Sequence, residues 1–162
     1  MNQTTSHPSD NLHAVMEQYG DLLYRLCILM LRNESDAEDA VQETFIKYYR
    51  KAPAFESTEH EKAWLIRVAT NQCRDILRFR VRHPQAEEAC FTKLSADSCD
   101  SGILEALTAV PEKYRLVLTL YYVEDCPIEE IAKIIRRTPS AVKMRLQKGR
   151  KLLETIYRKE YL

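Results

Sequence analysis

The chain has 162 residues, of which 24 are Lys or Arg and 24 are Asp or Glu, so its formal net charge is zero. Hydrophobic residues make up 45% of the chain and Gly occupies only 3 positions. The apolar residues recur at helical spacing, which predicts an all-α protein of one ordinary domain or two small ones. No apolar run approaches the roughly 20 residues that span a membrane, so we expect no direct membrane insertion.

The zero net charge hides separate acidic and basic segments. Acidic residues cluster in 34–43 and 87–105, and basic residues cluster in 67–82 and 136–151. Charge separated in this way predicts a protein that meets DNA and also a protein surface of basic or mixed charge.

The first predicted helix is a core helix. Residues 1–10 are polar and are predicted to be disordered. From Leu12 to Met30, apolar residues recur every three or four positions, in a helix that Gly20 could interrupt.

The second predicted helix is acidic on its outward side. Asn33–Ser35 is predicted to form a turn, and Ser35 and Glu38 have the spacing of a capping box at the start of the helix. The outward side carries Asp36, Asp39, Gln42 and Glu43. Taken alone, this pattern is typical of a solvated acidic face.

The third predicted helix carries a stripe of arginines. A loop over residues 52–57 precedes it, Thr58 and Glu61 form a second capping box, and the helix runs from about Glu59 to Arg82. The core side carries Leu65, Val68, Ala69, Gln72, Ile76 and Phe79, and the opposite side carries Trp64, Arg67, Asn71, Arg74, Arg78 and Arg82. Such a stripe can follow a phosphate backbone and stack an unpaired base. A merely solvated helix is the weaker alternative, because only Asp75 offers the arginines a partner.

The C-terminal part is predicted to contain a helix-turn-helix. Residues 84–102 are polar and mildly acidic, as in a linker, and helical spacing resumes at Ile103 and again after Pro111. Pro127 suits the start of a helix, and the pair Thr138 and Pro139 suits the cap and first position of the next.

The second helix of this motif has one apolar side and one basic side. Its apolar side carries Val142, Leu146, Gly149 and Leu153, and its other side carries Ser140, Met144, Gln147, Lys148 and Lys151. No acidic residue occurs in 136–151. We interpret it as a recognition helix whose N-terminal residues contact base edges while flanking Arg and Lys hold phosphates. The alternative is a solvated basic face on an ordinary helical hairpin.

The cysteines and histidines indicate no metal or catalytic site. The five cysteines contain no C-x-x-C pair, so metal binding is not expected. Cys27 and Cys73 are predicted to lie in the core, and Cys90 and Cys99 to be exposed, where a redox switch is an alternative. The odd count and the lack of a signal sequence predict a reducing cytoplasm. No phosphate loop or nucleophile motif occurs, so we expect no enzyme and no cofactor.

Several motifs, taken in order, resemble those of bacterial sigma factors of the extracytoplasmic-function (ECF) group. They are Asp36–Phe45 (DAEDAVQETF), Trp64–Asn71 (WLIRVATN) with Asp75 and the arginines after it, Val110–Arg115 (VPEKYR), Glu129–Ala132 (EEIA) and Val142–Leu146 (VKMRL). The resemblance implies a region 2-like domain at residues 11–83, a linker at 84–102 and a region 4-like helix-turn-helix domain at 103–162. It also implies that the acidic side of the second helix docks on RNA polymerase, and this replaces the interpretation of that side as a solvated face.

The resemblance implies three sets of site residues. Those for the clamp helices of the largest polymerase subunit are Asp36, Asp39, Gln42, Glu43 and Phe45. Those for recognition and melting of the −10 element are Phe55, Trp64, Arg67, Asn71, Arg74 and Arg78. Those for the −35 element are Arg137, Thr138, Ser140, Lys143, Met144, Arg145, Gln147, Lys148 and Lys151.

The implied partners are core RNA polymerase, including the flap of its second-largest subunit, promoter DNA and an anti-sigma factor. Met144, Gly149 and the stretch Thr138–Ala141 depart from common family residues, which leaves the base preference open. Two alternatives remain, a stand-alone helix-turn-helix regulator and a helical protein-interaction module. A stand-alone regulator would not need the acidic helix. The acid-free basic helix counts against a protein-interaction module.

Overall fold

The computed structural model describes residues 8–84 and 101–162. Its α-helices are α1 (Pro8–Leu31), α2 (Glu34–Lys51), α3 (Thr58–Arg82), α4 (Ser101–Ala109), α5 (Glu112–Leu118), α6 (Ile128–Ile135) and α7 (Pro139–Tyr161), and a π-helical turn (Thr119–Val123) follows α5. The described residues contain no strand, so the all-α prediction is confirmed. No helix within them is long and apolar enough to cross a membrane.

Helices α1, α2 and α3 form the N-terminal unit. Leu23, Leu26 and Leu29 of α1 are buried, as the helical spacing predicts, and α1 continues through Gly20 without a break. The helix already begins at Pro8, inside the segment 1–10 for which we expected disorder, and residues 1–7 lie outside the described part.

The caps of α2 and α3 lie one or two residues earlier than the sequence predicts. The Asn33 side chain accepts a hydrogen bond from the Asp36 N–H at 2.9 Å, so Asn33 and not Ser35 caps α2. In the same way, Ser57 Oγ accepts from the His60 N–H at 3.0 Å, so Ser57 and not Thr58 caps α3. In both places two neighbouring polar residues can cap, and the earlier one adopts the extended backbone that a cap requires.

The predicted core side of α3 is buried only in part, since Val68, Gln72 and Ile76 are half-buried. Leu65 and Ala69 are fully buried, but Phe79 is 62% exposed. Phe79 stacks on His83, with ring centroids 4.2 Å apart, in the last turn of α3, beyond the part of the helix that the core covers.

Helices α4 to α7 form the C-terminal unit. The helix-turn-helix is present as predicted, because α6 ends at Ile135 and the Thr138 hydroxyl caps α7 by accepting from the Ala141 N–H at 3.1 Å. Helix α7 ends at Tyr161. Val142 and Leu146 are buried against the rest of the unit.

The two units pack against each other and share one hydrophobic core. Helix α3 lies on α6, and α1 lies on α4 and α5. Four ion pairs between described residues join the units: Arg25–Glu124 at 2.8 Å, Lys62–Glu130 at 3.0 Å, Arg74–Glu112 at 2.6 Å and Glu59–Lys133 at 3.7 Å. We call this packing the closed arrangement.

Two predictions fall outside the described residues in whole or in large part. The linker predicted over 84–102 has residues 85–100 in the undescribed part, and Ser101 already begins α4. Cys90 and Cys99 also lie there, whereas Cys27 and Cys73 are fully buried, as predicted for core cysteines.

Candidate nucleic-acid and polymerase interfaces

The recognition helix presents its basic side outward. Of the predicted −35 residues, Arg145 is half-buried and the others are exposed: Arg137, Thr138, Ser140, Lys143, Met144, Gln147, Lys148 and Lys151. Met144 is 70% exposed and lies in the second turn of α7, where a thioether without a core contact is free to meet an apolar base edge.

Two lysines lie near the ring of a buried tyrosine beside the recognition helix. Lys148 Nζ lies 5.5 Å and Lys113 Nζ 4.9 Å from the Tyr114 ring centroid. A hydrogen bond with Lys148 lowers the pKa of Tyr114. The C-terminal unit therefore carries positive charge on α5 as well as on α7.

A cluster of aromatic rings joins the loop before α3 to the helix. The Phe55 centroid lies 5.8 Å from that of Trp64, 6.1 Å from that of Tyr48 and 5.3 Å from that of His60. The Tyr48 hydroxyl donates to Glu61 at 2.9 Å, and burial followed by this carboxylate raises the pKa of Tyr48 to about 12. The predicted −10 residues Phe55 and Trp64 are thus held together on a rigid support.

The arginine stripe of α3 faces the C-terminal unit. Arg74 donates to Glu112 at 2.6 Å and Arg78 to Asp75 at 3.0 Å. Burial, followed by the charge of Arg136, lowers the pKa of Arg67. Asn71 is exposed beside them. In the closed arrangement, the stripe and the turn of the helix-turn-helix line one cleft of about 650 Å³.

The acidic face of α2 is divided between free and occupied carboxylates. Asp39 and Gln42 are exposed and Glu43 is half-buried, whereas Asp36 is paired with Arg80 of α3. Phe45 is only 5% exposed and packs in the core, next to the groove between α1 and α2. Asp39, Gln42 and Glu43 are therefore the members of the predicted polymerase set that are open to a partner.

The sequence interpretation missed three charged residues of the cleft. They are Glu112, which neutralises Arg74, and Lys113 and Arg136, which add positive charge. Only the acid-free run 136–151 pointed toward Arg136. Nothing in the sequence indicated that α5 would lie beside α3. Among the described residues, no group of three or more His, Cys, Asp or Glu side chains is placed to hold a metal ion.

Family models match both units. The model for Sigma-70 region 2 matches residues 15–83, and the model for Sigma-70 region 4 matches residues 101–153. Proteins with these two regions are sigma factors, the transcription initiation factors that associate with RNA polymerase and promoter DNA. The chain belongs to the ECF group of this family, which confirms the resemblance drawn from its motifs.

Known relatives cover almost the whole chain. The ECF RNA polymerase sigma factor SigW of Bacillus subtilis is 30% identical over 93% of this chain and 91% of its own length. The RNA polymerase sigma factor SigV of the same organism is 30% identical over 86% of both chains.

Solved structures share the fold over more than nine-tenths of the chain. RpoE of Bartonella quintana, in complex with the anti-sigma factor NepR, superposes with a TM-score of 0.71 at 22% identity, over 93% of this chain and 98% of that chain. CnrH, in complex with the cytosolic domain of CnrY, also has a TM-score of 0.71, at 20% identity, over 94% of this chain and 90% of that chain.

Proposed function

We propose that this sigma factor uses three separate surfaces to direct core RNA polymerase to a promoter and to open it there. Asp39, Gln42 and Glu43 of α2 bind the clamp helices of the largest polymerase subunit. The α3 stripe and the Phe55–Trp64 cluster bind the −10 element, and the exposed side of α7 reads the −35 element. The C-terminal unit contacts the flap of the second-largest subunit. The protein has no enzymatic activity of its own and acts in the cytoplasm.

The single observation that carries this proposal is an open acidic face on α2, half a chain away from an acid-free recognition helix. Asp39 is exposed, and no ion pair between described residues engages Asp39 or Glu43. A regulator that only binds duplex DNA has no use for such a face, because carboxylates repel phosphate. A partner protein with a basic surface fits it.

The aromatic cluster supports a role in strand opening. Unpairing DNA costs a few kcal/mol per base, and stacking an extruded base on an aromatic ring recovers about 1–3 kcal/mol. Phe55 and Trp64 supply rings and the α3 stripe supplies cations for the backbone of the same strand. Melting and capture of the single strand therefore belong to one surface.

Control by an anti-sigma factor is part of the proposal. Both solved neighbours are held in complexes, RpoE by the anti-sigma factor NepR and CnrH by the cytosolic domain of CnrY. An inhibitor of this chain would work by covering the α2 face or the recognition helix.

The test is run-off transcription on genomic fragments with core enzyme, together with a measurement of the affinity for core enzyme. Asp39→Lys and Glu43→Lys reverse charge on the proposed docking face and are each expected to weaken core binding about tenfold. Glu160→Lys, an equal charge change on the exposed end of α7, is the matched control and should bind normally.

The result that would overturn the proposal is equally definite. If the protein binds duplex DNA unaided while core enzyme gives no promoter-specific transcript, the chain is a stand-alone regulator. If Asp39→Lys and Glu43→Lys bind core enzyme as the control does, the docking face lies elsewhere.

A further inference from the structure

The cleft between the two units has an unusual charge balance. Its walls come from α3, the start of α5, the turn after α6 and the second turn of α7. Its basic residues are Arg67, Arg74, Arg78, Lys113, Arg136, Arg137 and Arg145, and Glu112 is the one carboxylate that lines it among the residues the structure describes. A cleft lined by charge of one sign focuses the field and concentrates counter-ions of the opposite sign.

Most of this charge is uncompensated within the described residues. Glu112 is engaged by Arg74, and Arg78 is paired with Asp75. No carboxylate of the described part of the chain forms an ion pair with the other arginines of the cleft, Arg67, Arg136, Arg137 and Arg145. Arg67 from one unit and Arg136 from the other lie close enough for Arg136 to contribute to the lowered pKa of Arg67. Closing the two units therefore brings like charges together.

Arg136 adds a further observation, because its backbone is in the left-handed region with φ 55° and ψ 48°. Glycine is the residue that occupies this position of a helix end without strain. Here a long cationic side chain occupies it and lines the cleft.

We propose that the cleft binds a soluble polyphosphate, whose successive phosphate groups bridge the arginines of the N-terminal unit and those of the C-terminal unit. Guanidinium groups bind phosphate oxygens through paired, charge-assisted hydrogen bonds. A volume of about 650 Å³ lies in the range that small-molecule ligands occupy. The ligand offsets the repulsion between the units and stabilises the closed arrangement.

The phosphate chain has two sources, inorganic polyphosphate or a nucleoside triphosphate. Trp64 lines the same cleft and offers an aromatic face to a base. Both ligands carry the phosphate groups that the arginines bind. They differ in whether a base stacked on the Trp64 ring adds affinity.

The test titrates the full chain, without DNA or polymerase, with sodium tripolyphosphate and with ATP by calorimetry at constant ionic strength. We expect one site per chain and a rise in the thermal midpoint on binding, since the ligand binds the folded closed form. Arg67→Gln and Arg136→Gln, one from each unit, should each weaken tripolyphosphate binding about tenfold, because each removes charge-assisted hydrogen bonds. Lys51→Gln and Lys159→Gln remove an exposed cation from each unit outside the cleft and should bind as the parent does.

The outcomes separate the possibilities. Tighter binding of ATP than of tripolyphosphate identifies a nucleotide, and the reverse order identifies an inorganic chain; either order supports the site. If only one of the two cleft variants loses affinity, no bridge exists and the proposal fails. The proposal also fails if the two control variants weaken binding as much as the cleft variants do, because the ligand is then attracted by the overall positive charge and not by the cleft. The readout involves no promoter, so failure here is distinguishable from failure of the proposed function.

Discussion

At the scale of single residues, the strained backbone of Arg136 gives a direct test. The Arg137 N–H donates to the Ala132 carbonyl at 3.0 Å across this turn, so the left-handed conformation of Arg136 is fixed by the helix end. Holding a residue with a Cβ in the left-handed region lowers the stability of the folded state by about 1–2 kcal/mol. Glycine removes this strain, but its larger unfolded-state entropy offsets about half of the gain. We therefore expect Arg136→Gly to raise the free energy of unfolding by about 0.5–1 kcal/mol in urea titration.

The neighbouring Arg137→Gly is the matched control. Arg137 is not among the described residues with positive φ, so glycine there only adds unfolded-state entropy and should lower the free energy of unfolding. Equal destabilisation by both changes would contradict the strain argument.

The residue scale also shows how far the sequence predicts local structure. Thr138 and Pro139 were predicted correctly, because a cap followed by Pro leaves one way to start the helix. At Asn33 and Ser57 the predicted cap was displaced by two residues and by one, since two nearby polar residues can both accept the bond and only the backbone geometry selects one. Asp36 is paired and Asp39 is not, because Arg80 lies beside Asp36 in the fold. Arg80 is far from both in the sequence, so the sequence did not show this difference.

At the scale of helices, the contact of α7 with α5 depends on Gly149. A Cβ added at Gly149 would lie 3.1 Å from Leu118 Cδ1 and 3.3 Å from Tyr114 Cβ, and both neighbours are buried. Gly149→Val is therefore expected to lower the free energy of unfolding by about 1–3 kcal/mol, as overpacking does. A Cβ at Gly20 of α1 meets no atom within 4 Å, so Gly20→Val is the matched control.

Thermal or urea unfolding of both glycine variants measures this difference. The control should change the free energy of unfolding by less than about 0.5 kcal/mol, because Gly20 is half-buried with no atom near its Cβ position, and valine and glycine differ little in helix propensity where packing is absent. If Gly149→Val were as stable as Gly20→Val, α7 would not approach α5 closely.

Helical periodicity predicted the elements well where one side of a helix is apolar. It did not predict the π-helical turn Thr119–Val123, because this part of the chain is apolar nearly all round. Leu116, Val117, Leu118 and Leu120 are all buried, so no single face marks the register. The outward arginine stripe of α3 was predicted, but its contact with α6 was not, since the pairing of helices from separate domains leaves no pattern in either helix.

At the scale of the whole molecule, the closed arrangement and promoter binding exclude each other. Promoter elements named for positions about 25 base pairs apart are separated by about 85 Å of duplex at 3.4 Å per base pair. A compact chain of 162 residues has a radius of gyration of about 15 Å and cannot reach across that distance. The proposed −10 and −35 surfaces also line one cleft in the closed form, so the two units must separate before both elements are bound.

The ion pair between Arg25 and Glu124 joins the two units, and breaking it should favour the open form. Arg25 donates to both carboxylate oxygens of Glu124 at 2.8 Å and 3.0 Å, and the Glu124 side chain is only 4% exposed. Breaking one partner leaves a poorly solvated charge, which should shift the closed–open equilibrium by about tenfold. Since α1 belongs to one unit and Glu124 to the other, the shift acts on the contact between them.

The alkylation rate of the Cys126 thiol measures the separation of the two units. Cys126 is 2% exposed, and burial raises the pKa of its thiol to about 11, while Lys62 of α3 lies against it from the other unit. Alkylation by iodoacetamide, mapped by mass spectrometry, should therefore be slow at Cys126 in the parent and faster at high salt, which screens the ion pairs. Arg25→Glu leaves the groups around the Cys126 thiol unchanged and should raise the Cys126 rate about tenfold, because it sets two carboxylates against each other at the contact between the units. Glu154→Arg breaks an ion pair with Arg158 within α7 and serves as the control that leaves the rate unchanged. If Arg25→Glu labels no faster than the parent, Arg25 and Glu124 do not hold the two units together.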